Sequence, residues 1–333
     1  MKLHRLTSGF FLLFFLSLGI LGCEKTQAPQ PLPLSEAHQK FLKLCQEGYK
    51  LDIKLFSFEN TLWIYLPLDK NFIEMKANPG GPKESDQPKE ARRINYLNGK
   101  FEDQTFKITY DITPGKSYEK EYGYGNTYSE EYQNKQRNIL TAIHRVYMQM
   151  ESLDPKEPAS EKAPDFFILV VADITTGIET QMIIHFADLK RVLTDPGFQE
   201  EYVKRAIIDY PIGHPDIVGD REGKHLKPYD LSWGEFLIKQ IIHRIRSKYE
   251  RSAFPPVEED KIEILKIIKE AITAYQFEDY VAIELKDFNQ ETLFKIDPEG
   301  LEKTVKIDPP EVQKGRLIEI NFNPTDSKEN PTR

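Results

Sequence analysis

Apolar and polar residues recur along the chain in blocks whose period changes several times, and each period implies an element. Phe166-Phe167-Ile168-Leu169-Val170-Val171 is an unbroken apolar run too short for a helix, so it predicts a strand buried on both faces. A second strand is expected over 178–186, with Met182, Ile183 and Ile184 in its middle and Thr175-Thr176-Gly177 leading into it. Leu51, Ile53 and Leu55 alternate with polar residues, and Thr61 to Leu66 is β-branched, aromatic or aliphatic throughout, which predicts a hairpin about Glu59-Asn60. Asn98-Gly99 stands between Ile94 to Leu97 and Lys100-Phe101 and predicts a type I′ turn, with Phe106, Ile108, Tyr110 and Ile112 on the strand that follows. A last hairpin is expected from 280–285 and 292–296 around Asn289-Gln290, and Leu317 to Phe322 is one further strand candidate.

Elsewhere the apolar residues fall three and four apart, as one face of a helix requires. Ser35 caps a predicted helix that buries Phe41, Leu42, Leu44 and Cys45 and ends at Gly48. Thr127 and Glu130 read as a capping box for a helix carrying Ile139, Leu140, Ile143, Val146, Tyr147 and Met150. Helical spacing returns at 187–193 and continues through Phe198, Tyr202, Val203 and Ile207. Ser232 and Glu235 cap a helix to Tyr249 with Phe236, Leu237, Ile241 and Ile245 inward, and a further helix turns Ile264, Leu265, Ile268 and Ile272 inward. Short links between strands make the expected fold class α+β, helices packed on a largely antiparallel sheet built from hairpins. An α+β core spans 35–193, with a charged insertion over 69–93 that loses all periodicity and is expected to be mobile. Residues 194–322 form a helix-rich second half in the same body, and 323–333 a disordered polar tail.

The first residues follow a different logic. Lys2 and Arg5 precede an uncharged apolar run from Phe10 that ends at Ile20-Leu21-Gly22-Cys23, an export signal too short to span a bilayer as a mature helix. An aliphatic residue at position 20, a glycine at 22 and the cysteine after it resemble the lipobox of bacterial lipoproteins. The resemblance covers residues 1–23 and implies cleavage after Gly22 by signal peptidase II, with lipid carried on the sulfur and amine of Cys23. Several acyl chains make a stable anchor. Residues 23–34, with Pro29, Pro31 and Pro33, then read as an extended tether. Glu24 follows the cysteine where enteric lipoproteins kept in the inner membrane have Asp, so the resemblance leans toward the outer membrane, facing the periplasm.

Charge and cysteine usage narrow the function classes. Losing Lys2 and Arg5 with the signal takes the formal net charge from -8 to -10, which argues against a nucleic-acid partner. Of the 2 cysteines, Cys45 alone remains once Cys23 is lipidated, so no intramolecular disulfide forms. Cys45 reads as a core thiol. No G-x-S-x-G, H-E-x-x-H, C-x-x-C, P-loop or EF-hand signature occurs, and no cofactor is implied.

Two clusters carry the candidate chemistry. Tyr118, Tyr122, Tyr124 and Tyr128 lie in a glycine-containing stretch, where aromatic faces beside polar neighbours suit a protein or glycan partner. His214, Asp216, Asp220 and His225 lie in a Gly- and Pro-rich connector over 209–230 and offer imidazole and carboxylate ligands for a divalent ion such as zinc. The reading drawn from these features is a membrane-anchored envelope lipoprotein that binds a ligand or partner without catalysis. Its alternatives are an envelope hydrolase or metal-dependent enzyme, and a structural assembly subunit.

Overall fold

A computed structural model describes residues 30–77, 89–117, 124–148, 163–211, 213, 218, 220–251 and 260–305. Among them the fold is α+β, with helices packed on mixed, mostly antiparallel sheets. Helix α1 (Glu36–Lys43) starts where Ser35 Oγ accepts the His38 N–H at 3.2 Å, and a π turn carries it on to Gly48. Strands β1 (Lys54–Ser57) and β2 (Thr61–Leu68) form the expected hairpin, Lys54 opposite Tyr65. Next come β3 (Ile73–Ala77), β4 (Lys89–Glu102), β5 (Thr105–Ser117), β6 (Tyr124–Tyr128) and α2 (Glu130–Ile143). Then follow β7 (Phe166–Asp173), β8 (Ile178–His185), α3 (Phe186–Thr194), α4 (Gln199–Arg205) and β9 (Ile207–Asp209). The described chain closes with α5 (Trp233–Arg251), α6 (Asp260–Ala274), β10 (Ala282–Lys286), β11 (Thr292–Ile296) and α7 (Pro298–Thr304).

The larger sheet has the order β1-β2-β7-β8-β9, and every residue of β2 and β7 is buried. Alternate residues of these strands feed two cores. On one face Leu62, Ile64, Phe167, Leu169 and Val171 meet Phe41 and Cys45 of the first helix, Ile139 and Ile143 of α2, and Leu189 of α3. On the other, Trp63, Phe166, Ile168 and Val170 meet Phe236, Leu237 and Ile241 of α5 and Ile264 and Ile268 of α6. The unbroken apolar run of β7 is the physical consequence of this double cover.

The smaller sheet, β11-β10-β5-β4, lies across α5. The helix is wedged between the two sheets: the Phe236 ring sits 4.8 Å from that of Phe166, while Ile238 and Ile242 press on Gly99 of β4. Two joints in the sheets are parallel, β2 with β7 and β5 with β10, and the others are antiparallel.

Four sequence expectations change. Asn98-Gly99 is not a turn: β4 runs through it, and the chain reverses at Asp103 and Gln104, whose φ angles are 50° and 53°. Gly99 is small because a Cβ there would stand 3.0 Å from Ile238 and 3.2 Å from Ile242, so the residue serves a close helix approach. The insertion over 69–93 is not irregular throughout, since β3 pairs with β6 and β4 is already paired at Lys89; residues 78–88 lie outside the described chain. Helix α2 is capped by Ser129, whose Oγ accepts the Tyr132 N–H at 3.2 Å, because Thr127 is already in β6. The tether is pinned before its expected end, where Leu32 N–H donates to the Ser57 carbonyl at 2.7 Å and bridges the last residue of β1. The strand expected at 317–322 lies outside the described residues.

Candidate functional site

Parallel β2 and β7 bring Leu68 and Asp173 side by side, and the carboxyl ends of parallel strands are where open sheets commonly hold ligands. Asp173 ends β7 as the hub of a tight turn, accepting from Thr175 and Thr176 main-chain N–H groups and both hydroxyls at 2.6–3.1 Å. Burial alone would raise its carboxyl, and these four donors outweigh it and hold the pKa below the usual carboxylate range. One residue into β8, Glu179 shares the face of Tyr65 and is buried.

Along one face of these strands, from Glu179 back to Asn60 at the start of β2, runs the connector that carries the proposed metal ligands. Its described residues are strapped to the sheet: Trp63 Nε1 donates to Tyr229 O at 2.8 Å, Tyr65 Oη to Asp220 O at 2.8 Å, and Leu231 N–H to Thr61 Oγ1 at 2.8 Å. Asp230 accepts from Asn60 N and Nδ2 at 3.0 and 3.1 Å. Burial, then Glu179 and Asp220, push the Tyr65 phenol far above its usual range, so it stays a donor.

His214 and Asp216 lie outside the described residues. Asp220 caps its own turn, Oδ1 accepting Glu222 N–H at 2.9 Å and Oδ2 Lys224 N–H at 2.8 Å. His225 points the other way, its Nε2 pairing with Glu179 Oε1 beneath the edge of the Tyr65 ring. The two described candidates therefore hold the connector in place, and no group of three His, Cys, Asp or Glu among the described residues is disposed to hold a metal ion. His225 Nδ1 is buried and has no hydrogen-bond partner among the described residues.

Cys23, Tyr118 and Tyr122 also lie outside the described chain, and Tyr124 is placed only as the first residue of β6. Tyr128 stacks on Tyr132 with ring centroids 4.8 Å apart, and its hydroxyl meets that of Tyr210. It joins β6, α2 and the end of β9. Cys45 is fully buried, and burial pushes its thiol up to about 12, so it is a packing group and not a nucleophile.

A second buried ionic cluster ties three helices together. Asp188 of α3 accepts from Arg205 Nη1 at 3.1 Å and Tyr275 Oη at 2.9 Å, with His185 Nδ1 3.2 Å away. Arg205 also donates to Glu201 at 2.9 Å and to the carbonyl of Ala274 at 3.2 Å, which joins α4 to the end of α6. Burial raises the Asp188 carboxyl, but His185, Arg205 and Tyr275 outweigh it and hold the pKa below the usual range.

The concave site is elsewhere, in a cleft of about 590 Å³ between β4 and α5. Six consecutive residues of β4, from Leu97 to Glu102, line one wall. Glu235, Ile238, Lys239, Ile242, His243 and Arg246 line the other at helical spacing, and Asp209 and Tyr229 complete it. The apolar floor comes from Ile238, Ile242 and Gly99. The acids are engaged: Glu102 with Lys107 at 3.0 Å, Glu235 with the Ser232 cap at 2.8 Å, and Asp209 with Arg246 at 4.0 Å. Lys239 has no described carboxylate partner. Of this site the sequence betrays only a cation-rich turn about His243, since strand β4 and helix α5 are more than a hundred residues apart. The chain matches no family model, no curated protein and no solved structure.

Proposed function

We propose that the mature chain is a lipoprotein of the cell envelope, anchored through Cys23, whose body works by binding a ligand or partner in the cleft between α5 and β4. The observation that carries the binding reading is the cleft itself. It combines an apolar floor, main chain at a sheet edge and a lysine with no described carboxylate partner, in a volume typical of ligand sites, roughly 300–1,000 Å³. The lipobox supports the anchor, and the absence of Asp after Cys23 favours the outer membrane with the body in the periplasm.

Intact-mass analysis tests the anchor: the mature protein is expected to begin at Cys23 with lipid attached, and Cys23→Ala to leave the membrane fraction. A free thiol at Cys23 would remove this part of the reading. Binding is tested by a photo-crosslinking side chain at position 239 in intact envelopes, with position 293 as control, because Leu293 is 50% exposed and sits on β11, at the opposite end of the sheet from β4. Adducts specific to position 239 support the reading, and equal labelling at both positions overturns it.

His225 Nδ1, buried and without a hydrogen-bond partner among the described residues, is the observation favouring the metal-dependent alternative, in which His214 and Asp216 would have to supply further ligands. Elemental analysis finding stoichiometric zinc, with a melting temperature that falls on chelation, would establish it. Protein without metal and indifferent to chelator and added zinc would end it.

A further inference from the structure

The cleft has the form of a strand-docking groove, and we propose that its occupant is an extended segment of a protein partner, added to β4 as a fifth strand. This rests on the cleft-binding reading and names the class of ligand. Side chains of a strand alternate between faces, so a pocket on one face would be lined by alternate residues. Here Leu97, Asn98, Gly99, Lys100, Phe101 and Glu102 all line the cleft, which places the strand's edge, with its main-chain groups, in the opening. That edge is unpaired among the described residues, because β4 ends the order of its sheet.

Unpaired edges invite another strand, and proteins usually blunt them. Both edges of the larger sheet are treated that way: Leu32 bridges β1 at Ser57, and β9 is three residues long. In the smaller sheet β11 also ends the order, but it lines no part of the cleft. In β4 a register shift between Ile94 and Tyr96, held by Asn95 Nδ2 bonded to Asp111 and Thr113 at 3.1 Å, interrupts the ladder. It leaves the regular stretch facing α5 as the part free to pair. A strand laid between a sheet edge and a helix takes affinity from main-chain hydrogen bonds and specificity from alternate side chains.

The chemistry of the groove selects the segment. Ile238 and Ile242 offer an apolar floor, while Lys239 rises from the helix wall without a described acid, the lining carboxylates being held by Lys107, Ser232 and Arg246. The partner segment therefore carries an apolar side chain toward the floor and an Asp or Glu toward Lys239.

The test uses the mature, lipid-anchored protein in detergent and, as probe, a displayed library of short random peptides, with the selected peptides then synthesised. Selected sequences should be extended and enriched in acidic and apolar residues, and should slow hydrogen exchange of amides within 97–102. N-methylation of alternate peptide amides should abolish binding, and Lys239→Glu should weaken it about tenfold. Peptides that bind in the cleft equally well when N-methylated, without protecting 97–102, overturn strand addition and leave the cleft reading standing. So does capture of small anions in place of peptides. Slow exchange of every 97–102 amide in the free protein would show the chain's own residues already on the edge and overturn a partner strand. Binding unaffected by Lys239→Glu and mapped away from α5 overturns both readings.

Discussion

The two larger sheets share one core with α5 and α6 and differ in how they meet solvent. The five-stranded sheet is covered on both faces, with β2 and β7 wholly buried; β11 of the four-stranded sheet is largely exposed, and β4 has an edge beside α5 that no described strand pairs with. Around the first, charge is buried and tightly partnered, as at Asp188 and Glu179; around the second it lies in solvent, as at Glu102 with Lys107. The contrast separates a region built to hold the body together from one able to accept another chain. A strand satisfied on both faces and both edges has nothing left to offer, whereas a strand at the end of a sheet keeps half its main-chain groups for a partner.

The largest test compares two phenylalanines. Phe166 touches Phe236, Trp233 and His185 at the centre, while Phe294 lies on exposed β11 under Lys261. Phe166→Ala should cost about 3–5 kcal/mol in urea unfolding followed by circular dichroism, and Phe294→Ala less than about 1 kcal/mol. Equal losses would mean that the two sheets are one cooperative core of even density.

Charge sharpens the contrast. Asp188→Asn should cost about 2–3 kcal/mol at neutral pH, since Arg205 then stays buried beside a weaker partner. A carboxylate with a depressed pKa contributes stability above its unfolded value, about 3.9, and loses it as pH falls through the lower folded value. The gap between wild type and Asp188→Asn should therefore close as acid is added below that range. Lys107→Ala, breaking the solvent-screened pair with Glu102, should leave the unfolding midpoint unchanged. A gap for Asp188→Asn that persists at low pH would show that the loss is one of packing.

The joint between the regions comes next. A Cβ at Gly234 would collide with the Phe101 ring, so Gly234→Ala should cost about 1–3 kcal/mol by forcing α5 off β4. Peptide or ligand uptake in the cleft should change with it. Smallest is the cap: Ser232 and Glu235 exchange hydrogen bonds at 3.0 and 3.3 Å, and Ser232→Ala should cost about 1 kcal/mol while loosening the Glu235 carboxylate in the cleft wall. If Gly234→Ala destabilised no more than Ser232→Ala, the helix would not be wedged as tightly as its contacts imply.

Local chemistry decided much of this protein in advance. The β7 run, the hairpin of β1 and β2, the Ser35 cap, the Ser232-Glu235 box and the inward Cys45 each rest on neighbours within a few residues, where period and spacing govern. The tertiary structure decided what depends on distant partners. Asn98-Gly99 has good turn chemistry, but a helix from far along the chain needed the missing Cβ, and the strand continued. His225 has the composition of a metal ligand, but Glu179, 46 residues away, holds its Nε2. The parallel pairing of β2 with β7, the Asp188 cluster and the groove beside β4 exist only once remote segments pack, because their free energy comes from contacts that no local pattern encodes.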